Sequence, residues 1–156
     1  MGVSFMLYTT DTEGRHEPVE SERFEIHWSY SSWNGFSAGV LNALKDAYVS
    51  ATKVRNDARQ AWQNEEDMSD KFWLDSFKDA ANHVKHLADL KTYWSKGENP
   101  DAVDAVWEFN KAKMIECLFE ALVTDSATMD PFVERERIAW VLRYLTLNDG
   151  DHVVLA

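Results

Sequence analysis

Residues 24–40, FEIHWSYSSWNGFSAGV, decide the fold, because the hydrophobic pattern changes its period within them. Up to residue 30 it alternates, which predicts a half-buried strand. One face carries Phe24, Ile26, Trp28 and Tyr30, and the other carries Glu25, His27 and Ser29. From Phe36 the apolar residues recur about every 3.6 residues, which predicts a helix. Ser32 or Asn34 is the expected cap of this helix, with Gly35 permitting a sharp entry.

Four helices are predicted from stripes of this period, over residues 36–64, 69–96, 100–124 and 131–147. The first stripe comprises Phe36, Val40, Leu44, Tyr48, Ala51, Val54, Ala58 and Trp62. Gly97 is expected to end the second helix, because glycine readily adopts the left-handed conformation found at helix C-termini. Asn99-Pro100-Asp101 and Asp130-Pro131 are helix-start signatures, because Asn or Asp caps free amides and proline fits the first turn.

The chain ends add a small amount of strand. Residues 1–30 contain two strand-like segments, residues 3–8 and 23–30, separated by a polar loop over residues 10–22. Val153, Val154 and Leu155 are a candidate closing strand. The predicted fold is therefore mainly α: an antiparallel bundle of three long helices plus a shorter fourth, with a small β element. A length of 156 residues indicates a single domain, 1–156.

The predicted third helix turns apolar around its axis in its second half. Met114, Cys117, Leu118, Phe119 and Val123 fall on different sides of it. A helix that is apolar on all sides is typical of a core position. We therefore expect this half to be the spine of the core, with Cys117 and Leu118 buried.

The charge composition restricts the partners. Asp and Glu number 27 against 16 Lys and Arg, which gives a net charge of −11. Direct binding to nucleic acid or to an anionic membrane requires the opposite sign. One cysteine excludes an intrachain disulfide, and neither a signal peptide nor a membrane-length apolar run is visible. We expect a cytoplasmic protein.

Asp79, His83 and His86 are the candidate metal ligands. Their spacing places them near one face of a helix, and Glu116 or Glu120 is a candidate fourth ligand. This set defines one alternative function, a metal-dependent hydrolase. Metal sites in helical bundles project inward from facing helices, whereas these residues lie opposite their apolar stripe. We therefore expect no metal, no cofactor and no enzymatic activity.

The leading hypothesis is a protein that binds a basic surface on another protein. Asp101, Asp104 and Glu108 share one face of the predicted third helix. The other expected interaction residues are the acidic run Glu65, Glu66 and Asp67 and a rim containing His27 and Trp33. A compact acidic helical chain is typical of phage and mobile-element accessory proteins that inhibit a host protein. A structural subunit of a larger assembly is another alternative, and homo-oligomerisation stays open.

Overall fold

The computed structural model describes residues 2–19, 25–64, 71–97, 107–124 and 134–155. The fold is mainly α with a small antiparallel sheet, as predicted. Four helices and five strands occur in these ranges. The helices are α1 (Tyr30–Asn64), α2 (Lys71–Lys96), α3 (Lys111–Val123) and α4 (Glu134–Leu147), and the strands are β1 (Gly2–Thr10), β2 (His16–Val19), β3 (His27–Ser29), β4 (Trp107–Asn110) and β5 (His152–Leu155).

The sheet joins the two ends of the chain. Its order is β2-β1-β5-β4, all antiparallel, and β3 also pairs with β1. The expected closing strand is confirmed as β5, which lies between β1 and β4. The expected loop over residues 10–22 is wrong in part, because β2 lies within it. Thr10–His16 and Leu7–Val19 are the first and last pairs of the β1–β2 hairpin.

One face of the sheet forms the core with the helices. Phe5 pairs with Leu155, and Leu7 with Val153, so these buried side chains alternate with less buried neighbours. A single cluster of buried apolar residues joins β1, β4 and β5 to all four helices. The helices therefore cover one face of the sheet.

The first helix begins earlier than the sequence predicts. Tyr30 is its first residue, and the Ser29 hydroxyl accepts a hydrogen bond from the Ser32 amide at 3.2 Å. Ser29 is thus the cap, and the predicted caps at Ser32 and Asn34 are wrong. Tyr30 was expected on the buried face of a strand, but it is 46% exposed at the start of the helix.

The third helix begins later than predicted. Residues 98–106, which include the predicted start at Asn99, lie outside the described residues. The prediction of helix over residues 107–110 is wrong, because they form β4 on the edge of β5. The Asn110 side chain caps α3 by accepting from the Lys113 amide at 3.1 Å. Pairing with β5 on one side therefore replaces the helical hydrogen bonds predicted for these four residues.

The outer side of α3 corrects the expectation of a helix buried on all sides. Cys117 and Leu118 are fully buried, as expected. Phe119 and Val123, however, are 55% and 59% exposed. The other helices and the sheet pack against one face of α3 and leave these two side chains on the opposite face.

Helices α1 and α2 form a long antiparallel hairpin. The Trp62 ring stacks on Phe77 at 5.9 Å, and the Lys91 ammonium lies 4.4 Å from the centre of the Tyr48 ring. Helix α1 also contacts the sheet, α3 and α4, and we call this packed part of the molecule the body. No described side chain in residues 52–64 or 72–83 is buried, although the first apolar stripe places Val54 in the core. The distal half of the hairpin therefore projects from the body.

Candidate functional site

The predicted acidic surface falls mostly outside the described part of the chain. Glu65, Glu66, Asp67, Asp101 and Asp104 lie outside the described residues, so their role stays a prediction. Glu108 is described, but it lies on β4 opposite Val154 and not on a helix, so the prediction that it continues a helical stripe is wrong. Its Oε2 atom is 3.5 Å from Nε2 of the buried His152.

Trp33 is a core residue and not part of an exposed rim, so the predicted location is wrong. It is 3% exposed and contacts Phe5, Phe36 and Trp94 at ring-centre distances of 5.9, 5.9 and 6.2 Å. The reason is the early start of α1, which places residues 33, 36 and 40 on the same helical face. His27 is exposed as expected, and its Nδ1 atom shares a hydrogen bond of 2.6 Å with the Ser4 hydroxyl.

The candidate metal ligands are not assembled into a site. Asp79, His83 and His86 are all exposed on α2. Within the described ranges, no group of three or more His, Cys, Asp or Glu residues is arranged to hold a metal ion. Of the proposed ligand set, His83 and Glu120 line a common groove, whereas Glu116 lies on the exposed side of α3.

A charged corner beside the sheet has a structural role. Both the Thr10 amide and its hydroxyl donate to the Asp151 carboxylate, and the Lys111 amide donates to the Asp151 carbonyl. The Lys111 ammonium donates to the Asn148 carbonyl at 2.6 Å. Burial lowers the pKa of Lys111, and the negative charges of Asp149 and Asp151 oppose that shift. These bonds join β1, α3 and the start of β5.

A groove of about 360 Å³ lies where the hairpin meets the C-terminal turn of α3. We call it the hairpin groove. Its lining residues are Ala47, Ser50, Ala51, Val54, Ala80, His83, Glu120 and Thr124. Most of these residues are small, so the surface between α1 and α2 is concave here. The last turn of α3 forms one end of the groove.

Apolar side chains extend this surface toward the distal end of the hairpin. Val54 is 60% exposed and Phe72 is 67% exposed. Phe72 precedes His83 by eleven residues, close to three helical turns, and therefore lies on the groove side of α2. An exposed large apolar residue is informative when it adjoins a hollow, because such patches mark interaction sites.

Acidic side chains flank the hairpin groove. Asp57 follows Val54 by about one turn of α1, and Asp79 precedes His83 by about one turn of α2. Both are exposed, and the half-buried Glu120 lies at the α3 end. Lys45, Lys78 and Lys85 are exposed on faces of the hairpin turned away from the groove, and Lys53 faces outward. Asp57 and Asp79 therefore lie nearer to the groove than Lys45, Lys78 and Lys85, although the side turned away from the groove also carries a carboxylate, that of Asp89.

Comparisons with protein-family models, with curated proteins and with solved structures find no match for this chain. Among the described helices, none has both the length and the apolar composition needed to cross a bilayer.

The sequence did contain a signal for this groove. Alanines at positions 47, 51 and 80 occur where longer apolar residues would fill a two-helix interface. The spacing of the first stripe nevertheless predicts burial along its whole length, because periodicity identifies the apolar face without showing what covers it.

Proposed function

We propose that this chain is a protein-interaction module that binds a basic amphipathic helix of a partner protein in the hairpin groove. The observation that carries the proposal is the exposed Val54 in a concave surface lined by small residues and by Glu120. Asp57 and Asp79 lie about one helical turn from the lining residues Val54 and His83. As part of the same proposal, the chain acts in the cytoplasm as an accessory protein that inhibits its partner by occupying this helix.

The small residues favour a helix as the occupant. Two antiparallel helices leave a groove between them, and a third helix packs into it by inserting its side-chain ridge. Alanine and serine at positions 47, 50, 51 and 80 allow the incoming backbone to approach closely. A partner helix with apolar residues at spacings of three and four matches this recognition mode.

The charges favour a basic partner. Glu120 lines the groove at its α3 end, and the exposed Asp57 and Asp79 each lie about one helical turn from a lining residue. Lysine or arginine beside the apolar stripe of the partner helix would meet these carboxylates. Such pairs at an interface rim contribute mainly to association rate and specificity, whereas the apolar contacts supply most of the affinity. The net charge of −11 also attracts a basic partner, at longer range than these pairs do.

Capture from a lysate of the source organism tests this proposal with matched variants. Val54→Asp places a charge in the groove, whereas Val49→Asp makes the same change at a valine that is 66% exposed on another face of α1. We expect at least one protein that the wild type and Val49→Asp retain and that Val54→Asp loses. Quantitative mass spectrometry of the three captured samples measures this difference.

The charge component is then tested with the purified partner. We expect the combined variant Asp57→Asn and Asp79→Asn to slow association, and salt to slow association of the wild type. Asp89→Asn, an exposed position on another face of α2, is the control and should leave the rate unchanged. Identical protein sets captured by the Val54→Asp and Val49→Asp variants would refute the groove as the binding surface.

A further inference from the structure

A second concave site lies between β3 and α4, away from the hairpin groove. Its volume is about 310 Å³, and we call it the tryptophan slot. Its lining residues are Trp28, Glu136, Arg137 and Trp140. None of these residues lines the hairpin groove.

Trp28 gives the tryptophan slot a fixed wall. Its ring contacts Phe5 at 5.5 Å and Phe36 at 4.9 Å, both edge-on, and both phenylalanines are buried. The Arg137 guanidinium carbon lies 6.0 Å from the centre of the Trp28 ring, in cation–π geometry. The core therefore orients Trp28, and Trp28 in turn orients Arg137.

Trp140 supplies an accessible aromatic surface. It is 45% exposed and lies about one turn after Glu136 and Arg137 on α4. Tryptophan has a large apolar ring that is normally removed from water in cores or at binding sites. A flat ring of this size at the edge of a concave site suits a ligand with one flat apolar face.

The charges of the tryptophan slot disfavour ionic ligands. Nη1 of Arg137 is 3.8 Å from Oε1 of Glu134, and Glu136 lines the slot. Among the described lining residues, Arg137 is the one cation and Glu136 the one carboxylate, and Glu134 lies beside Arg137 outside the lining. A phosphate or carboxylate ligand would therefore meet repulsion together with its attraction to the guanidinium. A cationic ligand would meet the guanidinium itself. A neutral ligand avoids both conflicts.

The hydrogen-bonding groups of Arg137 and Glu136 further restrict the chemical class of the ligand. The guanidinium only donates and an ionised carboxylate only accepts, so the ligand has to offer both acceptors and donors. A proline residue offers a carbonyl acceptor but has no backbone N–H to donate to Glu136. Each hydroxyl of a sugar both donates and accepts, and a pyranose ring also has a face of C–H groups that packs on indole. We infer that the tryptophan slot binds a neutral sugar ring of a glycan.

This inference goes beyond the proposed protein-binding function and is independent of it. Titration of the ¹⁵N-labelled chain with maltotriose, cellotriose, mannotriose and tri-N-acetylchitotriose tests it. We expect at least one of these neutral sugars to shift the indole N–H resonances of Trp28 and Trp140 in a saturable manner. Trp140→Ala should weaken that sugar about tenfold or more, and Glu136→Gln should weaken it by a smaller factor.

Phe119→Ala is the matched control, because it removes an exposed aromatic ring from α3 and should leave sugar binding unchanged. Absence of any saturable shift with all four sugars would overturn the inference. So would Trp140-dependent binding of a proline-rich peptide or of inorganic phosphate with no response to the sugars. Val54→Asp should bind the sugar normally, so that failure of this inference and failure of the proposed function are distinguishable.

Discussion

At the scale of single residues, the core accommodates large aromatic rings by pairing their polar atoms with backbone groups. Trp94 is 1% exposed, and its indole N–H donates to the Ser37 carbonyl at 3.0 Å. The fully buried Tyr144 donates its hydroxyl to the Phe5 carbonyl at 3.2 Å. Each bond avoids the cost of an unsatisfied buried donor, so both rings contribute their full apolar area to the core.

Leu118→Ala should lower the free energy of unfolding by about 2–5 kcal/mol, because the fully buried side chain leaves a cavity. The neighbouring Phe119→Ala should change it by only about 0.5 kcal/mol or less, because Phe119 is on the surface. Urea midpoints at unchanged slope measure both. Equal midpoints for the two variants would show that α3 is not central to the core.

Cys117 predicts a dependence of stability on pH. Burial, aided by the negative charge of Glu116, raises the pKa of this thiol from 9.0 to about 12. The stabilisation is complete below pH 9.0, where the thiol is protonated in both states, and is lost as pH rises toward 12. Between about pH 8 and pH 10, the wild type should therefore lose stability relative to Cys117→Ala, by up to about 1.4 kcal/mol per pH unit. Parallel urea-unfolding curves for the two proteins across this range would contradict the prediction.

At the scale of elements, β4 shows how a neighbouring strand decides between two local structures. Trp107, Asn110 and Met114 fit the spacing of a helix, but residues 107–110 also alternate in the manner of a strand. The edge of β5 pairs with these residues, and the Asn110 amide donates to the Tyr93 hydroxyl at 2.7 Å. Hydrogen bonds between strands that are distant in the sequence therefore override the helical spacing.

Gly97 directly follows α2 and lies against β4, so its replacement tests this contact. Its φ is +63°, and an added Cβ would lie 2.7 Å from the Glu108 carbonyl oxygen. We expect Gly97→Ala to cost about 1–2 kcal/mol or more, through the left-handed backbone and this clash. Gly35→Ala is the contrast, because its Cβ would meet nothing within 4 Å and it lies in a helix. That change should stabilise by about 0.5–1 kcal/mol, as measured by thermal unfolding. A change in stability of the same sign for both variants would contradict this prediction.

At the scale of the whole molecule, the chain divides into a packed body and a projecting hairpin. Helix α1 has 35 residues and is therefore about 50 Å long. Its buried residues extend only from Trp33 to Ala51. Two helices alone bury little apolar surface, so the distal half has fewer tertiary contacts to stabilise it than the half that contacts the body.

Hydrogen exchange should reveal this division. Amides in residues 52–64 and 72–83 should exchange through local opening, faster than amides in residues 36–47 and 84–94, whose exchange requires near-global unfolding. Native-state exchange followed by mass spectrometry measures the gradient along both helices. Equal protection along α1 would show that the distal half is stabilised as strongly as the body.

The candidate site was predictable only in part. The acidic character, the exposure of His27 and the polar position of Asp79, His83 and His86 followed from composition and helical spacing. The hairpin groove did not, because it depends on where α3 ends against α1 and α2. The tryptophan slot did not either, since Trp28 and Arg137 are distant in sequence and meet only when β3 packs beside α4.

By itself, the sequence determined the helical class, the closing strand β5 and the burial of Cys117 and Leu118, because period and local apolar density are properties of neighbouring residues. The tertiary structure alone decided that Trp33 is a core residue, that residues 107–110 form a strand and that Val54 is exposed. The physical reason is the same in each case. Whether an apolar face is covered, and which partner satisfies a backbone amide, depends on elements that are remote in sequence and adjacent only in the folded chain.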